Sequence, residues 1–108
     1  MIYTNAKITQ SGLLLSHYAG QNPISNLIVS HSMPSTETIL IDIYYTVSAN
    51  TFYLIKNLSI PNGVSINIEN SDLPYDNNQY SLYLDCQYES VENRENPVTV
   101  DCAISLSE

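Results

Sequence analysis

The chain has no tryptophan, a single phenylalanine, two cysteines, two histidines and only three basic residues among 108. Each scarcity removes a class of function. Lys7, Lys56 and Arg94 stand far apart, and three isolated cations cannot neutralise a run of phosphates, so nucleic acid is not expected as a partner. Binding to an anionic membrane surface is disfavoured for the same reason. No stretch approaches the length of a transmembrane helix, and the longest uncharged apolar runs are only strand-length. His17, His31, Cys86 and Cys102 do not fall at the spacing of a four-ligand metal site. Residues 1–7 lack a basic region followed by an apolar core, so no signal peptide is expected, and folding in a reducing cytoplasm is.

Charge of either sign is also scarce: 13% of residues are charged, against about a quarter in ordinary soluble proteins. Ser, Thr, Asn, Gln and Tyr must therefore supply the polar surface, which suits burial against protein partners or exposure on an assembled particle. Eleven acidic residues give a formal net charge of −8, concentrated from Glu69 to Glu108. This reads as a solvated acidic end, with an acidic patch meeting a basic partner as the alternative.

What the chain does have is alternation. From Thr38 to Val47 the odd positions carry Ile39, Ile41, Ile43, Tyr45 and Val47, and the even ones carry Leu40, Asp42, Tyr44 and Thr46. Side chains alternate across a strand, so this segment has one apolar and one mixed face. Thr51 to Ile60 runs back after Ser48-Ala49-Asn50, with Lys56 interrupting its apolar parity, which predicts a bulge or an edge position near Lys56-Asn57. Pro61-Asn62-Gly63 is a turn, and Val64, Ile66 and Ile68 alternate beyond it. Tyr3 to Gln10 is a weaker strand that stops at Ser11-Gly12, and Leu13 to Leu15 reads as an edge strand or a cap over one end. Asn26 to Met33 places Leu27, Val29, His31 and Met33 on one face, with Ser30 and Ser32 on the other. Leu82 to Tyr88 and Val98 to Leu106 read as a hairpin folded about Arg94, with Cys86 opposite Cys102 and Leu84 opposite Ile104. No helix-period segment, internal repeat or linker is visible. The expected structure is all-β: residues 1–108 form one antiparallel β-sandwich of about seven to eight strands, with a jelly roll or small barrel as the alternative. Residues 1–25 are assigned to edge strands or an N-terminal arm.

Candidate sites are few. Without a secretion signal, Cys86 and Cys102 read as reduced core thiols rather than a disulfide. His31 lies on an apolar parity and reads as a packed histidine. Ser30-His31-Ser32 resembles a catalytic pair only in composition, because adjacent strand residues point to opposite faces. Asp72, Asp76, Asp85, Glu89 and Asp101 could serve glycosidase chemistry if paired across a cleft, but nothing in the sequence pairs them. Asp72 to Asn78 is rich in oxygen ligands yet lacks the spacing and bidentate Glu of a calcium loop. Neither catalytic, cofactor-binding nor metal-binding residues are assigned, no cofactor is expected, and the chain is not expected to be an enzyme. Nine tyrosines stand out, with Tyr44, Tyr53 and Tyr83 on the polar parity of their strands. They read as interface residues, with a sugar platform as the alternative.

Asn26-Leu27-Ile28-Val29-Ser30, a strand, and then Phe52-Tyr53-Leu54-Ile55-Lys56-Asn57-Leu58-Ser59-Ile60-Pro61-Asn62-Gly63 resemble small β-sandwich virion structural proteins of tailed bacteriophages. The likeness covers roughly residues 26 to 106; Asn22-Pro23-Ile24-Ser25 stands where that family has a valine-proline-alanine turn. The resemblance implies a non-enzymatic virion component, assembled in the host cytoplasm and present in many copies or as a homo-oligomer. Its implied role is capsid decoration against the major capsid protein first, and a neck or tail accessory bound to neck or tail proteins second. A carbohydrate-binding module or adhesin is the reading from another class.

Overall fold

The computed structural model describes residues 2–31 and 37–107. Its strands are β1 (Ile2–Thr9), β2 (Ser11–Leu15), β3 (Ile24–His31), β4 (Ile39–Val47), β5 (Asn50–Ile60), β6 (Ser65–Glu69), β7 (Leu82–Tyr88) and β8 (Thr99–Leu106). Two short 3-10 turns, Asn70–Asp72 and Val91–Asn93, lie in the connections. The strands form two four-stranded antiparallel sheets, ordered β1-β8-β3-β6 and β2-β7-β4-β5. The expected sandwich is therefore present. Its strand order is the double Greek key of a jelly roll, which the sequence reading held as the alternative.

The alternation read in β4 sets the core. Ile39, Ile41 and Ile43 are fully buried, in one core cluster with Leu27, Val29, Val100 and Ile104 of the other sheet. Two inner faces pack about 10 Å apart, so a strand needs only one apolar face, and the opposite parity is left to solvent. Among the described residues, β4 and β5 form the one sequential hairpin, joined through Ser48 and Ala49, both at positive φ (48° and 70°). That is the mirror-image turn whose twist matches the strands; without Gly or Asn at either position it carries strain.

The bulge expected near Lys56-Asn57 is present: the register slips between Ile41↔Leu58 and Ile43↔Ile55, and Asn57 sits at φ 56°. A second, unforeseen bulge at Leu54 separates Ile43↔Ile55 from Tyr44↔Tyr53. Ile60, Leu58 and Ile55 therefore stand opposite Ile39, Ile41 and Ile43, and at the second slip Leu54 packs against the core beside Ile55. Two bulges and a lysine on an edge strand discourage further pairing. The turn at Pro61-Asn62-Gly63 then carries the chain to the other sheet. Gly63 takes the positive φ (79°), and the Val64 amide donates to the Pro61 carbonyl at 3.2 Å.

Two other connections differ from expectation. β7 and β8 are not a hairpin. They lie in different sheets, and the segment through Val91–Asn93 crosses the end of the sandwich between them. Arg94 holds this crossing by donating to the carbonyls of Tyr88 (3.4 Å) and Glu89 (2.7 Å). Both strands are apolar on one face, and that parity is satisfied equally by neighbours in one sheet or by partners across the core. Cys86 and Cys102 thus approach from opposite layers as separate buried thiols, not as a cross-strand pair.

The first strand ends at Thr9, close to where the sequence places its stop, but Ser11-Gly12 opens β2 instead of a loop. Gln10, at φ 65°, turns the chain from the first sheet into β2 of the second. Its amide donates to the Val98 carbonyl (2.9 Å), and its carbonyl accepts from the Cys86 amide (2.8 Å), so one residue is bonded to segments of both layers. β1 and β2 then form an edge of each sheet. In β3, Leu27 and Val29 are buried as expected; Ser32 and Met33 lie outside the described residues.

Candidate functional site

The outer face of the second sheet gathers most of the chemically distinctive side chains. Even positions of β4 and odd positions of β7 point outward, and the register aligns them. Leu13 is level with Tyr83, Tyr83 with Tyr44, and Tyr44 with Tyr53, giving one apolar row across all four strands. At about 4.8 Å per strand the row runs about 14 Å. Tyr44 stacks on Tyr83 with ring centroids 5.7 Å apart and 19° between planes, and meets Tyr53 at 5.6 Å. Leu13 and Tyr53 remain nearly half exposed. The outward placement read for Tyr44, Tyr53 and Tyr83 is what brings them together.

The next row is acidic. Ser11 is level with Asp85, and Asp85 is directly opposite Asp42 on the neighbouring strand. Asp85 accepts from the Ser11 hydroxyl (2.6 Å) and from the Tyr44 phenol (2.9 Å). Asp42 accepts from the backbone amide of Asn57 (2.7 Å), a bond that the bulge in β5 makes available. Lys56 places its Nζ 4.0 Å from the centre of the Tyr53 ring. Partial burial, together with the Asp85 carboxylate, raises the Tyr44 phenol above its ordinary value, which extends to higher pH the range over which it donates.

The other sequence candidates are dispersed. His17 is exposed and bonds through Nδ1 to Ser81 Oγ at 2.7 Å. His31 packs edge-on against Tyr88, with centroids 6.2 Å apart, while Ser30 points away and pairs with Ser65 Oγ at 2.6 Å. Asp101 forms an ion pair with Lys7 on the outer face of the first sheet, and Glu89 is exposed at the end of β7. In the Asp72–Asn78 loop, Asp76 accepts from the Asn78 amide. The side chains of Asn77 and Asn78 donate to the carbonyls of Asn22 (2.8 Å) and Gln21 (3.1 Å), so the loop's amides fasten a neighbouring segment. Among the described residues, no three His, Cys, Asp or Glu side chains gather as a metal would require.

The residue that sequence reasoning missed is Asp42. Its outward parity was visible, but its position opposite Asp85 depends on β4 and β7 being neighbours, which no local pattern encodes. A second aromatic group, Tyr45 with Phe52, Tyr75 and Tyr80 at centroid distances of 5.3–5.6 Å, lies on the inward parity of β4. Tyr75 and Leu73 pack against the core, while Phe52 at the outer side of the group stays nearly half exposed. Searches against protein-family models, curated proteins and solved structures find no match to this chain.

Proposed function

We propose that this protein is a non-enzymatic structural component of a tailed-phage particle, decorating the capsid by binding its major subunits, or acting at the neck or tail as the second form of the same reading. The observation that carries the proposal is the Leu13–Tyr83–Tyr44–Tyr53 row. Three rings and a leucine held on four paired strands offer a broad, pre-ordered contact area at little cost in side-chain entropy, the kind of surface that protein interfaces favour. The sparse charge and the Ser-, Asn- and Thr-rich exterior agree with it. Double-Greek-key sandwiches serve in capsid and lectin domains, which is support by analogy of fold alone. Mechanistically, binding is passive: each copy adds buried area across contacts between capsid subunits and so opposes their separation under internal pressure.

The test is quantitative mass spectrometry of purified particles, read as copies of this chain per major capsid subunit. Capsid decoration predicts a ratio in the tenths or higher, and a neck or tail role a handful of copies per particle. Complete absence from the particle defeats the proposal. The same tyrosine row favours a second reading, a carbohydrate-binding module, because sugar rings stack on exposed aromatics. A saturable change in tyrosine fluorescence on titration with a polysaccharide would support it.

A further inference from the structure

We propose that the outer face of the second sheet docks an arginine-bearing segment of a partner protein, with a guanidinium seated over the Asp42–Asp85 pair and against the adjoining tyrosines. The inference rests on the reading of the chain as a protein-binding component and specifies the chemistry of what it binds.

Three observations lead to it. Asp42 and Asp85 are directly opposed on neighbouring antiparallel strands, where like charges destabilise the sheet. Among the described residues, the hydrogen bonds they accept come from neutral donors: Ser11 Oγ, Tyr44 Oη and the Asn57 amide. No cation lies within ion-pair distance of either one among the described residues. The pair is thus held in place and left uncompensated, and both carboxylates are half-buried, so solvent screens them less than free surface charges.

The chain's own Lys56 shows what the neighbouring row accepts. Although it leaves β5 beside Asp42, its ammonium rests on the face of Tyr53, a cation–π contact. Finally, eleven acidic residues against three basic ones make a cationic partner electrostatically favoured over an anionic one. A neutral glycan could stack on the tyrosines but would leave the opposed carboxylates uncompensated. Arginine suits the site better than lysine, because its planar fork can bond two carboxylates while lying against an aromatic ring.

The experiment titrates the isotope-labelled full chain with a capped peptide of sequence threonine-arginine-threonine-arginine-threonine, following backbone amides by NMR. Saturable shifts are expected at residues 42–44, 53–57 and 83–85, weaker with the lysine version and absent with the glutamate version. Combining Asp42→Asn with Asp85→Asn should weaken binding about tenfold or more, since bonds to charged groups are lost. Removing a like-charge pair should not lower the melting temperature. Equal binding of the glutamate peptide, shifts at other residues, no shifts at all, or undiminished binding by the doubly substituted chain would each overturn the inference. A response to maltoheptaose at these residues, with the arginine peptide silent, would also overturn it and assign the face to a glycan. Because the peptide titration needs no particle, a chain abundant in particles but blind to the peptide defeats only this inference. A chain that binds the peptide but is absent from particles defeats only the virion reading.

Discussion

Raising the pH from 9 to 11 is expected to strip several kcal/mol from the folded state, through two thiols that contribute nothing to that dependence near neutrality. Cys86 and Cys102 are 5% and 3% exposed. Burial pushes the Cys86 thiol from 9.0 up to about 11, with the Asp85 carboxylate adding to the effect and a backbone hydrogen bond at Gln10 opposing it. Burial likewise pushes Cys102 up to about 12, reinforced by Cys86 and Asp101. The folded chain therefore holds both protons over a range in which the unfolded chain releases them. The stability this represents is fully present below pH 9 and is lost as pH rises through the folded values. For Cys86 alone, a rise from 9.0 to about 11 corresponds to about 3 kcal/mol, a large share of the ~5–15 kcal/mol that holds a domain folded. Urea denaturation at pH 7, 8, 9, 10 and 11 measures the effect: a flat midpoint to pH 8, then a steep fall. Substituting Cys86→Ala and Cys102→Ala together should flatten the segment from pH 9 to 10, before phenols such as Tyr75, also raised by burial, join the titration. An unchanged slope in that variant would mean that other groups carry the dependence.

The second large effect is at the corner. Gln10→Pro should cost about 3 kcal/mol or more. Proline fixes φ near −65° where the chain needs 65°, and it removes the amide that reaches Val98. Gln10→Gly keeps that amide and relieves the left-handed strain, so it should be neutral or gain up to about 1 kcal/mol. Thermal unfolding of the two variants beside the parent checks both signs at once. If proline and glycine proved equivalent, the corner would not depend on this backbone geometry.

How much of this was legible in the sequence varies by element. The inward set of β4 and the outward tyrosines followed from period-two parity, because burial of one face is a local consequence of strand geometry. The bulge at Lys56-Asn57 announced itself as a lysine on an apolar parity, whereas that at Leu54 was silent: Leu54 and Ile55 are both apolar, so a slip between them leaves no mark in the pattern. Parity also says which way a residue faces but not which strand lies beside it. That gap misread β7 and β8 as a hairpin and hid the apposition of Asp42 with Asp85. At Gln10 the end of the first strand was legible, but not that the next strand begins at once in the other sheet, because a polar break does not say where the chain goes next.

The pairing of β1 with β8, residue by residue from Ile2↔Leu106 to Thr9↔Thr99, has a consequence for biogenesis. Among the described strands, only β4 and β5 can pair soon after they are made; β1, β2 and β3 all wait for partners that come much later in the chain. Closing such long loops is paid for in entropy before any contact returns it. A nascent chain on the ribosome therefore exposes the apolar faces of its early strands until the last one emerges, and resistance to protease should appear abruptly with β8 and not grow strand by strand.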